Sequence, residues 1–348
     1  MSLATTPDVM VRRRLARLLD ASGVVELLLR VGSPGSGWVP ALNYHRIHPD
    51  PESQPFDRGV IDATPEELDQ QMAMLVRYFT PITVNELADH ANQGKRLPER
   101  PALVTFDDGY RECLTRALPI LLAHRVRASF FVPTTMVGER RAFWWDRLSF
   151  VVRSARVSRL SIRYPVPLQL DLSPGAEAAV RRLLAVFKQS YDLDVERFLN
   201  EVNEAAGVPW NREIERRIAD ELVLDWEGVR ALVRAGMEVH SHTRTHRILQ
   251  NLRREEVDAE LAGSRHDIQE ALGEAPRAIS YPVGHPIVGR PWLVDSVRAA
   301  GYELGFSVGV GGDSGRAHPF DVGRISLDVG TQLGEFRAML VHPALMVA

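Results

Sequence analysis

The chain has 348 residues, of which 45% are hydrophobic and 25% are charged, and its formal net charge is −3. This length fits one large α/β domain or one domain with an insertion, and the charge provides neither a basic stripe for nucleic acid nor a solvating acidic tail. The single cysteine, Cys113, excludes an internal disulfide and is best explained as a small buried core residue.

Residues 1–37 are predicted to form an amphipathic helical segment. Arginines alternate with leucines and valines between Met10 and Val31, so the stretch is too charged to cross a bilayer. Because no uninterrupted apolar run precedes a cleavage site, we expect a cytoplasmic protein. We expect the segment to pack on the main domain, which would occupy residues 38–348. A peripheral contact with an anionic membrane is the alternative, and it would matter if the substrate is lipid-linked.

The first strand is predicted at residues 38–44. His45 follows directly after the C-terminal end of this strand, where a histidine can serve as acid, base or ligand. Two helices are predicted next, because Thr64-Pro65-Glu66-Glu67 and Thr83-Val84-Asn85-Glu86 each place a glutamate three positions after a capping threonine.

A buried strand is predicted at Leu103-Val104-Thr105-Phe106, and it runs directly into Asp107 and Asp108. Two adjacent carboxylates repel when both are ionised, so such a site gives one of them a cation and leaves the other to handle protons. A helix at Leu114–Ala123 and a strand at Ala128–Val132 follow. Strand, helix and strand at this spacing predict a parallel sheet.

The alternation stops between about residues 138 and 224, where we predict a helical insertion that forms a lid or shapes a substrate groove. Helical patterns cover Ala176–Tyr191 and Val195–Ala206, and a short alternating stretch covers Leu160–Leu172. The pair Trp144-Trp145 either stacks on a sugar ring or anchors the insertion to the main domain.

Regular alternation resumes after the insertion and continues to a helical tail. The predicted elements are a helix capped by Asp225, a strand at Met237–His242, a helix at Leu252–Leu272, a strand and turn at Ala278–Gly284, strands at Gly301–Val308 and Arg324–Val329, and a helix after Gln332.

The segment from His242 to His246 carries two histidines four residues apart, which would face one way if a helix begins there. Together with one oxygen of the aspartate pair they form a three-ligand site with room for water or substrate, as in hydrolytic zinc sites. His240 points to the same strand face as His242, so it either lies one layer below the metal or competes for the ligand role.

Thr105-Phe106-Asp107-Asp108-Gly109 and His242-Thr243-x-x-His246 resemble the first two motifs of the polysaccharide deacetylase family, the NodB-homology group of carbohydrate esterase family 4. Apart from the insertion, the resemblance runs over residues 38–329. It implies an α/β fold, a distorted (β/α) barrel of about seven strands. It also implies metal-dependent removal of acetyl groups from N-acetylated amino sugars. The metal would be divalent, with zinc expected first and cobalt, nickel or manganese as alternatives.

The resemblance also assigns roles to residues. It makes Asp107 the general base and makes Asp108, His242 and His246 the metal ligands. The metal would lower the pKa of a bound water, and Asp107 would take its proton. The backbone N–H of Tyr110 would complete an oxyanion site.

The third motif of the family usually carries an arginine that pairs with the base, and here Ser280 stands in that place. A subset of the family that acts on exopolysaccharides resembles this sequence in that respect. In that subset Arg324 is the candidate to orient Asp107, because a bidentate guanidinium suits a carboxylate.

Amide hydrolysis also needs an acid that protonates the leaving amine. We favour His45 for this role, because the chemistry of barrel enzymes gathers at the C-terminal ends of strands. His342 and His318 are the alternatives.

We therefore predict an N-deacetylase whose substrate is an N-acetylated sugar, oligosaccharide or glycolipid, such as a lipid-linked precursor. A glycan-binding protein on a decayed deacetylase scaffold is one alternative. A hydrolase that cleaves another C–N bond with the same site is the other. The sequence predicts no oligomeric state.

Overall fold

The computed structural model describes residues 7–31, 39–309 and 318–341. Its helices are α1 (Pro7–Ala21), α2 (Val24–Val31), α3 (Pro65–Tyr78), α4 (Val84–Gln93), α5 (Leu118–Ala123, preceded by a π-helical turn at Cys113–Ala117), α6 (Thr134–Glu139), α7 (Trp144–Arg153), α8 (Ala176–Gln189), α9 (Val195–Ala206), α10 (Arg212–Leu222), α11 (Trp226–Arg234), α12 (Arg254–Leu272), α13 (Pro291–Ala299) and α14 (Leu333–Val341). Its strands are β1 (Ala41–Tyr44), β2 (Arg46–Ile47), β3 (Ile61–Ala63), β4 (Thr80–Ile82), β5 (Pro101–Phe106), β6 (Ser129–Val132), β7 (Arg159–Ile162), β8 (Leu168–Asp171), β9 (Glu238–Ser241), β10 (Ala278–Ser280), β11 (Leu304–Val308) and β12 (Val322–Ser326).

Seven parallel strands close into a barrel in the order β1, β12, β11, β10, β9, β6, β5 and back to β1. The short strand β4 adds to the outer side of β5. Closure removes the free edges that an open parallel sheet would expose. The predicted α/β barrel of about seven strands is confirmed.

The register of β1 and β5 brings two predicted site residues together. Tyr44 lies opposite Phe106, so the residues that follow these strands are neighbours at the same end of the barrel. The backbone N–H of Asp107 donates to the carbonyl of Tyr44 at 2.8 Å. His45 and Asp107 therefore leave the sheet side by side, although 62 positions separate them in the sequence.

Two of the predicted helix starts have the expected capping boxes. The hydroxyl of Thr64 accepts the N–H of Glu67 while the Glu67 carboxylate accepts the N–H of Thr64, and Thr83 and Glu86 repeat this exchange. The Asp225 side chain caps α11 through the N–H of Gly228. Local sequence therefore determines where these three helices begin.

The predicted insertion contains α7, the antiparallel hairpin of β7 and β8, and the helices α8, α9 and α10. The helical patterns predicted at residues 176–191 and 195–206 correspond to α8 and α9, and the alternating stretch forms the hairpin. Helix α7 packs against both α8 and α9. The domain boundaries at residues 37, 138 and 224 stay predictions.

The N-terminal segment forms two helices, because the chain turns at Ser22 and at Gly23, whose φ is +80°. Both helices pack against α14, with Ala16 and Leu29 buried. The hydroxyl of Tyr78 in α3 donates to Glu26 at 2.6 Å. In the described part of the chain, no helix combines the length and the hydropathy needed to span a bilayer.

Candidate active site

The two carboxylates after β5 have different partners. Asp107 accepts two hydrogen bonds from the guanidinium of Arg324, at 2.8 Å on Oδ1 and 2.7 Å on Oδ2. Its Oδ2 also accepts the hydroxyl of Ser280 at 3.1 Å. The structure thus places Arg324, from the last barrel strand, on the carboxylate that the sequence proposed as the base.

Arg324 is fully buried inside the barrel. It donates to Ser280 Oγ at 2.7 Å, and its guanidinium carbon lies 5.4 Å from the ring centre of Phe131. Burial alone would raise the pKa of Asp107, but the charge and hydrogen bonds of Arg324, together with the nearby His242, lower it to about 2. Asp107 is therefore ionised throughout the neutral pH range.

The second carboxylate, Asp108, lies with the two histidines. Its Oδ1 is 3.4 Å from Nε2 of His242 and 3.2 Å from Nε2 of His246, and all three side chains are buried. Burial alone would raise the pKa of Asp108, but the two neighbouring imidazoles, His242 and His246, hold it well below its ordinary value.

These three residues fit a divalent metal ion. One ligand atom from each of them lies within 4.8 Å of the other two. Nδ1 of His242 lies 2.8 Å from the carbonyl oxygen of Ser280, which places the proton there and leaves Nε2 as a donor for a metal. Asp108 Oδ1 is buried and has no hydrogen-bond donor within the described ranges. His240 lies outside this group, with its Nε2 at 3.3 Å from Glu238.

No helix begins at His242, so that part of the prediction is wrong. The segment is an irregular loop in which Thr243 and His246 have φ of +65° and +55°. The carboxylate of Glu260 in α12 holds the loop by accepting the N–H groups of Arg244 and Thr245 at 2.8 and 2.9 Å. The two imidazoles converge through these left-handed residues and not through helical periodicity.

His45 lies beside this group with a partner that the sequence did not reveal. Its Nδ1 is 3.1 Å from Oδ2 of Asp62, the middle residue of β3, and its backbone N–H donates to the same oxygen. Burial alone would lower the pKa of His45, but the charges of Asp62, Asp108 and Asp107 raise it to about 9. The only sequence signal for Asp62 is an acid within the apolar stretch Val60-Ile61-Asp62-Ala63.

The alternatives to His45 are less well placed or undescribed. His318 is exposed, and its neighbour Pro319 accepts the N–H of Gly305 near the start of β11. His318 therefore lies toward the N-terminal ends of the strands, away from the carboxylates. His342 lies outside the described residues.

The sequence profile of the polysaccharide deacetylase family matches residues 94–159 and 165–306, which is more than half of the chain. The chain belongs to the polysaccharide deacetylase family. The expected resemblance is confirmed.

Individual relatives agree with this family. The poly-beta-1,6-N-acetyl-D-glucosamine N-deacetylase of Escherichia coli (strain K12) is 32% identical over 91 residues, a match that spans 26% of this chain and only 13% of that protein. The structure of the deacetylase PplD from Streptococcus pyogenes has a TM-score of 0.57 at 15% identity and covers 88% of this chain and 99% of that one. IcaB from Ammonifex degensii gives 0.54 at 19% identity, with 88% and 98% covered. At these identities the two structures support the fold.

Tyr110 lies two positions after Asp108, on the loop that follows β5. Its hydroxyl donates to Asp146 at 2.7 Å and accepts the indole N–H of Trp145 at 2.7 Å, and its side chain is fully buried. The use of its backbone N–H at an oxyanion stays a prediction. Cys113 is buried, and burial raises the pKa of its thiol well above the ordinary value, as expected for an inert core residue.

The neighbouring tryptophans of this family member resolve the alternatives left open for the insertion. Trp144 and Trp145 are 5% and 4% exposed, so neither ring is available to stack on a sugar. Trp144 stacks on Phe187 of α8 with ring centres 3.7 Å apart. Trp144 therefore packs within the insertion, whereas Trp145 anchors the insertion to the barrel through Tyr110 and His246.

Proposed function

We propose that this protein removes the N-acetyl group from an N-acetylhexosamine unit of a glycan or glycoconjugate. The observation that carries the proposal is the ionised Asp107, held on both oxygens by Arg324 and adjacent in sequence to Asp108 of the three-ligand group. Membership of the polysaccharide deacetylase family and the name of the relative from Escherichia coli support the substrate class.

The reaction adds water to an acetamide and yields acetate and a free amine. Asp108, His242 and His246 would hold a divalent metal ion, with zinc as the first candidate and cobalt, nickel or manganese as alternatives. The ion would supply Lewis acidity at the acetamide carbonyl and at the attacking water. Asp107 takes a proton from that water, in an orientation fixed by Arg324 and Ser280.

Two further groups act on the acetamide. The backbone N–H of Tyr110 donates to the oxygen on which negative charge develops as water adds. Protonated His45, held by Asp62, gives its proton to the leaving nitrogen, so that the C–N bond breaks to a neutral amine.

No observation favours the glycan-binding alternative. That alternative arose from the missing arginine of the third motif, and Arg324 supplies a guanidinium to Asp107 from another strand. The test is acetate release from oligomers of β-1,6-linked N-acetylglucosamine and from a lipid-linked N-acetylhexosamine, with Asp107→Asn as the inactive control. If neither substrate releases acetate while another amide does, the protein hydrolyses a different C–N bond.

We expect the rate to fall on the alkaline side as His45 loses its proton. The pKa of about 9 depends on Asp62 on one side and on Asp107 and Asp108 on the other. A metal ion at Asp108 would offset part of that negative charge, so the alkaline limb should lie at or below about pH 9. Asp62→Asn removes the hydrogen-bonded charge and should move the limb to lower pH in a profile of kcat against pH.

An alkaline limb that stays in place in Asp62→Asn would show that His45 is not the acid. Stability provides an independent check. Because the folded pKa of His45 lies above its ordinary 6.5, its contribution to folding is complete below that pH and is lost as pH rises through about 9. Asp62→Asn should remove this dependence of folding stability on pH.

The N-terminal hairpin of α1 and α2 is proposed to touch an anionic membrane, where a lipid-linked substrate would lie. Leu18 and Val31 are 68% and 76% exposed, and Leu27 on the same hairpin is also exposed. Exposed Arg14 and Arg30 would complement lipid phosphates. We expect flotation with phosphatidylglycerol vesicles and not with phosphatidylcholine vesicles. The predicted cytoplasmic location stays a prediction.

The control for the membrane contact is the same substitution of an exposed leucine outside the N-terminal hairpin. Leu18→Ser with Leu27→Ser should abolish flotation, whereas Leu122→Ser, on α5 and 49% exposed, should not. Equal flotation of both variants would contradict the membrane contact.

A further inference from the structure

One side chain of the insertion touches both loops that carry the candidate metal ligands. The ring of Trp145, at the start of α7, has its centre 4.5 Å from that of His246. Its indole N–H donates to the hydroxyl of Tyr110 at 2.7 Å, and Tyr110 lies two positions after Asp108. The two loops follow different strands, β5 and β9, and Trp145 bridges them.

The hydrogen bonds around Trp145 form a continuous chain. The Tyr110 hydroxyl donates to Oδ2 of Asp146 at 2.7 Å, and Oδ1 of Asp146 accepts the N–H of Asp57 at 2.9 Å. Phe143 stacks on the other side of Trp145 with ring centres 4.5 Å apart. Because Tyr110 and Asp146 are fully buried, no water can replace a lost partner without rearrangement.

Both metal-binding loops need external support. Asp108 and His246 have φ of +70° and +55°, a conformation that L-residues adopt only when the surroundings hold it. Nδ1 of His246 is buried and has no hydrogen-bond partner among the described residues. Packing therefore orients the His246 ring, and its aromatic contacts are Trp145 and His242.

We propose that Trp145 and Tyr110 are positioning residues for the metal centre, so that the insertion is required to shape the site. Trp145 sets the plane of the His246 ring, and its hydrogen bond to Tyr110 holds that loop against the loop of Asp108. This inference rests on the proposed metal site. Neither side chain is assigned a contact with substrate.

The test compares metal affinity, measured by competition with a chromophoric chelator, across matched variants. Trp145→Phe keeps a ring and loses the N–H, and Tyr110→Phe loses the hydroxyl at the other end of the same bond. Each should weaken zinc binding about tenfold, at the lower end of the range for partners of metal ligands, and should lower kcat with KM unchanged. The double variant should match Tyr110→Phe alone, because the two residues share that bond.

Trp144→Phe is the matched control. Trp144 is the adjacent tryptophan, equally buried and stacked within the insertion, and its indole N–H finds no acceptor in the described structure. It should bind zinc like the wild type. Trp145→Leu, which removes the ring, should also change the visible absorption spectrum of the cobalt-loaded protein, a readout of ligand geometry that a general loss of stability does not move.

Wild-type zinc affinity and an unchanged cobalt spectrum in Trp145→Phe, Tyr110→Phe and Trp145→Leu would overturn the positioning role. Equal losses in Trp144→Phe and Trp145→Phe would also overturn it, because the effect would then be general. If Trp145→Leu does not fold, the two conservative variants decide. A wild-type protein that binds no metal would instead refute the proposed metal site.

Discussion

The Asp107→Asn variant is expected to bind metal like the wild type and to lose roughly 10²–10⁴-fold in kcat, the usual contribution of a general base. Asparagine has nearly the same shape, so it can still meet one side of the Arg324 guanidinium, but it cannot take a proton from water. Metal content by elemental analysis and acetate release under saturating substrate measure the two effects separately.

His246→Ala is the counterpart that should lose both metal and activity. Its imidazole nitrogen lies 3.2 Å from Asp108 and would be one of three ligands, so its removal leaves too few donors for a tight site. Full turnover in both Asp107→Asn and His242→Ala would refute the mechanism. Metal loss in Asp107→Asn would show instead that the two aspartates share the ion.

Arg324→Met is expected to destabilise the fold by about 3–5 kcal/mol and to abolish activity. It leaves the buried carboxylate of Asp107 without its guanidinium, which is the costly way to break a buried ion pair. The pKa of Asp107 should rise from about 2, because burial remains while the largest opposing charge is gone. Urea unfolding measures the stability, and the pH dependence of that stability reports the pKa of Asp107.

The double variant Arg324→Met with Asp107→Asn separates the two causes. It removes the unpaired charge as well as the cation, so it should be more stable than Arg324→Met alone. Arg324→Lys keeps a charge but cannot donate to both carboxylate oxygens, so it should recover part of the stability and little of the rate. A double variant as unstable as the single one would show that Arg324 acts through packing on Phe131 and not through Asp107.

The pH dependence of stability should reflect the ion pair of Asp107 and Arg324. Asp107 has a folded pKa below its ordinary value of 3.8, so its contribution to folding is present above that pH and is lost as pH falls toward about 2. The wild type should therefore lose the contribution of Asp107 to the free energy of unfolding only in strong acid.

The local chemistry of the chain determined much of the fold. The capping boxes at Thr64 and Thr83 use residues three positions apart, so neighbours in sequence are enough to define the helix starts. The strand before Asp107 is mostly apolar, and the alternation of such strands with helices predicts a parallel sheet. The closed barrel was predicted by the family resemblance and not by this alternation. Strands of two or three residues, such as β2 and β3, escaped prediction because so few residues carry no periodicity.

For the site, the sequence by itself identified the candidate residues that the structure brings together. It supplied the Asp107-Asp108 pair and the two histidines, because short motifs preserve ligands that lie on one loop. The helix expected at His242 does not form, since the convergence of the imidazoles depends on left-handed residues and on Glu260 of a distant helix. Spacing alone cannot distinguish the two geometries.

The family resemblance proposed Arg324 as the partner of Asp107, and only the tertiary structure revealed the other partners. Arg324 reaches Asp107 across 217 positions, Asp62 reaches His45, and Trp145 reaches both loops of the candidate metal site. Barrel closure makes β1 a neighbour of both β5 and β12, and so brings the first and last strands to the carboxylates at one end. Two residues that meet only because the barrel closes have no fixed spacing in the sequence. Such a contact therefore leaves no local pattern in the chain.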